Sequence, residues 1–149
     1  MEKYINVDKH HMQQDLKIVT FPKGLPGFEL LKEFTVQQYD ELFSVLISVD
    51  NPSVAFIVVN PFDFYPNYEF DVSDDLLEEI EITSREQVNI RCIVTWHSNR
   101  NKVTLNLLAP IIINSEKHSG KQVVLQNVSY TTRQLLWSNG IEDSEGGED

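Results

Sequence analysis

The sequence predicts a mainly β domain: a small, closed or nearly closed, largely antiparallel β-barrel with two or three short helices. Three observations carry that prediction. Short β-branched and aromatic runs recur along the chain. Clusters of Asn, Asp, Gly and Pro separate them. Helix signals are few, the clearest of them lying between Ser73 and Glu86. Closing the sheet on itself removes unpaired strand edges, which otherwise invite aggregation.

The elements follow in order. Leu16 to Phe21 is short and β-branched. Phe34 to Tyr39 (FTVQQY) and Phe43 to Val49 (FSVLISV) are strands separated by Asp40-Glu41-Leu42. Asp50-Asn51-Pro52-Ser53 is a turn, because Asn and Asp bond their own backbone and Pro presets φ. Val54 to Asn60 (VAFIVVN) is the returning strand of that hairpin. From Asn89 to His97 the pattern alternates. Ile90, Cys92, Val94 and Trp96 share one face, and Arg91, Ile93, Thr95 and His97 share the other. Val103 to Leu108 and Ile111 to Asn114 form an apolar pair, with Pro110 marking a bulge, corner or edge. Lys121 to Gln126 is a last short strand after a turn around Gly120.

Ser73-Asp74-Asp75 before Leu76, Leu77 and Ile80 reads as an N-cap and an acidic first turn. Thr83 to Glu86 has capping-box spacing and opens another brief turn. Between Phe21 and Glu29, two prolines and two glycines fix a loop that leads to a short helix at Glu29 to Glu33.

At 149 residues the chain fits one domain over 1–141, followed by an acidic tail, 142–149, expected to be disordered. No apolar run approaches transmembrane length, and Met1 to His11 lacks the apolar core of a secretory signal. A single cysteine fits a reducing compartment, so the expected location is cytoplasmic.

Charge is sorted along the chain. From Glu33 to Ser84, 52 residues carry 12 Asp and Glu and no Lys or Arg, together with 9 of the 15 aromatic residues. The net charge of -11 and pI near 4.7 argue against direct nucleic-acid binding, which needs clustered Lys and Arg. Carboxylates mixed with large rings fit a basic protein surface: rings supply area and carboxylates steer the encounter.

The richest segment is Asn60 to Asp71, in which five of the nine residues from Phe62 to Phe70 are aromatic. Pro61 and Pro66 exclude a helix interior or central strand, leaving an irregular loop that enters a short extended piece. Two or three rings are expected to plug the barrel end, with the others forming an exposed contact patch. Extended geometry places Glu69 and Asp71 opposite Tyr68 and Phe70. The candidate partner-binding set is therefore Phe64, Tyr65, Tyr68, Glu69 and Asp71, with Asp74 and Asp75 steering association. An alternative is a small-ligand-binding barrel that uses the Phe62–Phe70 cluster at its mouth.

Catalytic signatures are lacking. There is no GxSxG, P-loop or GxGxxG motif, and adjacent acids such as Asp74-Asp75 fall on different helix faces. Cys92, His97 and His118 have no metal-ligand spacing, and no cofactor is expected.

The chain resembles the FliW family of bacterial flagellar assembly factors. The resemblance rests on FPKGLPGFE at Phe21–Glu29 and NPSVAFIVVNPFDFYPNYEFD at Asn51–Asp71. It continues through Ile93–Thr95, TLNLLAPIIIN at Thr104–Asn114, and GKQVVL at Gly120–Leu125 followed by Tyr130 and Arg133. It implies a non-enzymatic cytoplasmic protein with two protein partners, flagellin and the RNA-binding translational repressor CsrA. Flagellin would hold the protein until export; the freed protein would then bind CsrA and relieve repression of flagellin synthesis. One departure is Asn67, where the family more often has Asp before Tyr.

Overall fold

The computed structural model describes residues 4–10 and 16–137. Among them lie eleven strands, one α-helix and three 3-10 turns. The strands are β1 (Tyr4–Val7), β2 (Ile18–Thr20), β3 (Glu33–Gln38), β4 (Phe43–Ser48), β5 (Ala55–Val59) and β6 (Phe70–Ser73). After α1 (Asp74–Glu79) come β7 (Val88–Thr95), β8 (Thr104–Leu105), β9 (Ile111–Asn114), β10 (Ser119–Gln122) and β11 (Gln134–Leu135).

Seven strands close a barrel in the order β7-β5-β4-β3-β2-β10-β9, and β9 pairs back to β7. The neighbours are antiparallel except β2 and β10, which meet in parallel at Ser119 and Thr20. The predicted hairpin is present, with Val45 opposite Ile57 across β4 and β5. Beyond β7 the sheet continues into β8 and β11, while β1 and β6 form a separate two-stranded ribbon.

Two cores result. Phe21, Leu25, Phe34, Leu46, Val58, Ile111 and Ile113 fill the barrel. The second core lies on the outer side of β7, where Cys92 and Val94 meet Tyr68, Phe70, Val72, Leu76 and Leu77 from the overlying layer. A strand buried on both faces reads as nearly continuous apolar sequence, and β7 and β9 do.

The loop from Phe21 to Glu29 closes one barrel end. Gly24 sits at φ 67°, and a Cβ there would come within 2.5 Å of Glu29 Cα, so only glycine fits. No helix follows at 29–33; instead Glu33 starts β3, and its backbone carbonyl accepts from Val49. The last barrel strand begins earlier than the sequence predicts. Gly120 lies inside β10, because a Cβ there would stand 3.0 Å from the Ile112 carbonyl and the Phe21 ring. The turn lies before it, where Asn114 Oδ1 accepts from the amides of Glu116 and Lys117. The strand predicted over 103–108 shrinks to β8, since the amides of Leu107 and Leu108 both turn to the Thr131 carbonyl. The capping residue near Thr83 is Gln87, not Glu86: its Oε1 accepts from the amides of Thr83 and Ser84. The acidic tail expected at 142–149 lies outside the described residues.

Candidate partner-binding surface

The segment from Asn60 to Asp71 is built by its prolines and its rings. Asn60 Oδ1 accepts from the Phe62 amide and caps a 3-10 turn, Pro61–Asp63, that starts on proline. Three tyrosine hydroxyls then tie this segment to the C-terminal third of the chain. Tyr65 donates to the Leu135 carbonyl. Tyr68 donates to the Leu107 carbonyl at 2.7 Å. Tyr130 Oη accepts from the Glu69 amide at 3.1 Å and donates to the Glu69 carbonyl at 3.2 Å. Tyr68 is 1% exposed and its ring centroid lies 4.7 Å from that of Tyr130. Burial pushes the Tyr68 phenol and the Cys92 thiol beside it far above their ordinary ranges, so both stay neutral.

This placement corrects the exposed aromatic patch predicted above. Phe64, Tyr68 and Phe70 are buried, and Phe62 and Tyr65 are half-buried against the second core. Nor do these rings plug the barrel mouth: they pack on the outer side of the wall formed by β5 and β7. Five aromatic residues in a loop can be buried because the loop gains a layer above it, not because it enters the barrel. With the barrel interior filled by its own side chains, the geometry gives the small-ligand reading no support.

The predicted alternation holds. Along β6 the residues run buried, exposed, buried, exposed, and Tyr68 and Glu69 extend that pattern backwards. Glu69 and Asp71 therefore stand in solvent on one face, with Asp71 Oδ1 accepting from Asn6 Nδ2 across the β1–β6 ribbon at 2.8 Å. Ser73 Oγ caps α1 by accepting from the Leu76 amide, which brings Asp74 and Asp75 into the first turn. There they complement the helix dipole by roughly 0.3–1 kcal/mol each. Four carboxylates thus follow closely along the chain as an acidic ridge, Glu69 and Asp71 on the exposed face beside β6 and Asp74 and Asp75 in the first turn of α1.

Lysines meet the acidic block elsewhere. Glu79 lies between Lys121 Nζ at 2.9 Å and Lys23 Nζ at 3.1 Å, and Glu81 reaches Lys117 at 3.5 Å. The hydrogen bond from Lys121, aided by Lys23, holds the Glu79 carboxyl below its ordinary range. Among the described residues no Lys or Arg forms an ion pair with Glu69, Asp71, Asp74 or Asp75. Among the same residues no group of three His, Cys, Asp or Glu side chains could hold a metal ion. No helix among them is long and apolar enough to cross a membrane.

The sequence reading missed a second exposed feature. Trp96, placed by alternation with the core residues Ile90 and Cys92, is 54% exposed just beyond the end of β7. With Tyr39, Phe43, Val45 and Ile57 it lines an apolar concavity of about 470 Å³. Its signal was present in β4, where Phe43, Val45 and Ile47 alternate with the inward Ser44, Leu46 and Ser48. Outward positions on a strand are usually polar, and these are not.

A small filled β-barrel with one flank layered by an aromatic loop and edged by carboxylates that no Lys or Arg pairs with among the described residues defines a compact β scaffold with an acidic surface. The model of the family described as FliW protein matches residues 6–136, and the chain belongs to this family of flagellar assembly factors. The flagellar assembly factor FliW of Oceanobacillus iheyensis is 40% identical over 131 residues, covering 87% of this chain and 89% of that protein. The flagellar assembly factor FliW of Bacillus subtilis strain 168 is 42% identical over 130 residues, covering 84% of this chain and 91% of that protein. A crystal structure of the flagellar assembly factor FliW superposes with a TM-score of 0.78 at 37% identity, covering 91% of this chain and 97% of that one.

Proposed function

We propose that this chain is a non-enzymatic cytoplasmic regulator that binds flagellin and, when free of it, binds the translational repressor CsrA. Binding of CsrA relieves repression of flagellin synthesis. Mutually exclusive partners are a negative coupling between two binding events, and such coupling is reciprocal: each partner weakens the other by the same factor. Family membership supports the role in flagellar assembly.

One observation carries the rest. Glu69, Asp71, Asp74 and Asp75 project from rigid elements and are left without a neutralising lysine or arginine among the described residues. A repressor that grips RNA phosphates must be basic on some face. A fixed carboxylate ridge is the counter-surface for that face, speeding encounter and rejecting acidic competitors. Phe64, Tyr65 and Tyr68 act beneath it as positioning residues, since they anchor the loop that leads into Glu69 to the second core, while Tyr130 holds the Glu69 backbone itself.

The test is the double charge reversal Glu69→Lys with Asp71→Lys, assayed against purified CsrA at several salt concentrations. We expect affinity to fall by about tenfold or more, which is about 1.4 kcal/mol. The dependence of affinity on salt should flatten with it. A folded double variant with unchanged affinity and unchanged salt dependence would remove the ridge from the interface.

A further inference from the structure

The barrel wall is covered on one side only. The outer faces of β7 and β9 lie under the aromatic loop, β6 and α1. The outer face of β3, β4 and β5 is covered only at its edge among the described residues, where Phe43 and Ile57 pack against the second core and Phe43 meets the rings of Phe64 and Trp137. Across it, Val45 pairs with Ile57 and Ile47 with Ala55. Ile18 flanks that row through Thr35 and is 50% exposed. Tyr39, 79% exposed, and Trp96 stand as walls at one end, with Phe43 at the floor in edge contact with Trp96 at 5.8 Å.

We infer that this face docks a basic amphipathic helix of a partner protein, at a surface distinct from the Glu69–Asp75 ridge. Three features of this face specify the occupant. The stripe along β4 spans six residues, which is about 20 Å of extended chain and matches a helix of about 14 residues. Its centre is apolar and carries the exposed aromatic side chains that dominate docking energetics. Both ends are acidic: Asp40 and Glu41 in the β3–β4 turn, and Glu33 and Asp50 at the opposite end. All four are exposed, and none forms an ion pair among the described residues. Asp40 Oδ1 accepts from the amides of Leu42 and Phe43, which fixes its position without neutralising it. No Lys or Arg occurs from Glu33 to Val59, and two lysines border the face, Lys17 beside Ile18 and Lys32 beside Glu33. Past Trp96, Arg100 and Lys102 lie in the turn before β8, and Arg100 is stacked over Trp137 at 4.1 Å. The matching segment has apolar residues at helical spacing and Lys or Arg at each end.

The test uses the full chain and two fluorescein-labelled synthetic helices of about 14 residues. Both carry the same Leu stripe; one has Lys at each end and the other Glu. Fluorescence anisotropy should report saturable binding of the Lys-ended helix and binding of the Glu-ended one weaker by roughly tenfold or more. Tyr39→Ser and Trp96→Ala, both at exposed positions, should each weaken the Lys-ended helix by roughly tenfold or more, with circular dichroism unchanged. Glu69→Lys with Asp71→Lys should leave that binding as it was, which separates this face from the acidic ridge. Equal binding of the two helices, or loss only in the ridge variant, would overturn the assignment. So would sedimentation equilibrium showing a dimer that Trp96→Ala dissolves, which gives the face to a second copy. Removal of residues 138–149 that by itself raises helix affinity would give it to that segment instead.

Discussion

Glu69 and Glu79 belong to the same acidic block, and the fold treats them differently. Glu79, at the end of α1, is held between Lys23 from the glycine-proline loop and Lys121 from β10, so it fastens the overlying layer to the barrel. Glu69, one residue from the buried Tyr68 and Phe70, is fixed through its backbone by Tyr130 while its carboxylate stays in water. One carboxylate is bound into the structure, and the other stays exposed, where the proposed function uses it. The contrast teaches that a charge block in sequence divides only once the topology shows which cations return to meet it.

The largest effect that separates the two roles comes from the ring beneath the ridge. Tyr68→Ala should cost about 3–5 kcal/mol of stability in denaturant unfolding, because it empties a site in the second core. Tyr68→Phe, which keeps the ring and removes the hydroxyl's bond to Leu107 and its contact with Cys92, should cost about 1 kcal/mol. Reversing the charges of Glu69 and Asp71 should leave stability within about 0.5 kcal/mol while weakening CsrA binding, since exposed substitutions away from packed features change little.

Glu79→Gln should show the opposite pattern at smaller scale. It should lower stability by up to about 1 kcal/mol, the range of a partly exposed ion-pair network, and leave CsrA affinity unchanged. The pH dependence follows from the same pair of lysines. The folded-state pKa of Glu79 lies below its ordinary value of 4.5. Its contribution is therefore fully present above pH 4.5 and is lost as pH falls through the lowered value. Urea midpoints measured between pH 6 and 3 should fall less steeply for Glu79→Gln than for the native chain, and parallel curves would count against the clamp.

Much of this architecture is written in local sequence. The β4–β5 hairpin follows from two apolar runs around Asp50-Asn51-Pro52-Ser53, and α1 follows from Ser73 and its two aspartates. The alternation of Tyr68, Glu69, Phe70 and Asp71 gave the orientation of the carboxylates. What local pattern could not give was the layer beyond the barrel. Tyr65, Tyr68 and Tyr130 are held by bonds to partners 39 to 70 residues away, and no short-range signal encodes such pairings. Gly120 read as a turn because glycine usually marks one, whereas here the close approach of Phe21 requires it inside a strand. Trp96 misled for a related reason: it continues the core alternation of β7 by one step, past the point where the sheet stops being covered.

The central claim is the proposal that this chain captures CsrA through its Glu69–Asp75 carboxylates and that flagellin excludes that capture. Calorimetric titration of the full chain with purified CsrA, repeated with saturating flagellin present, tests it most directly. The account predicts a saturable heat with CsrA alone that flagellin abolishes. No heat with CsrA, or a CsrA isotherm unaltered by bound flagellin, would contradict it.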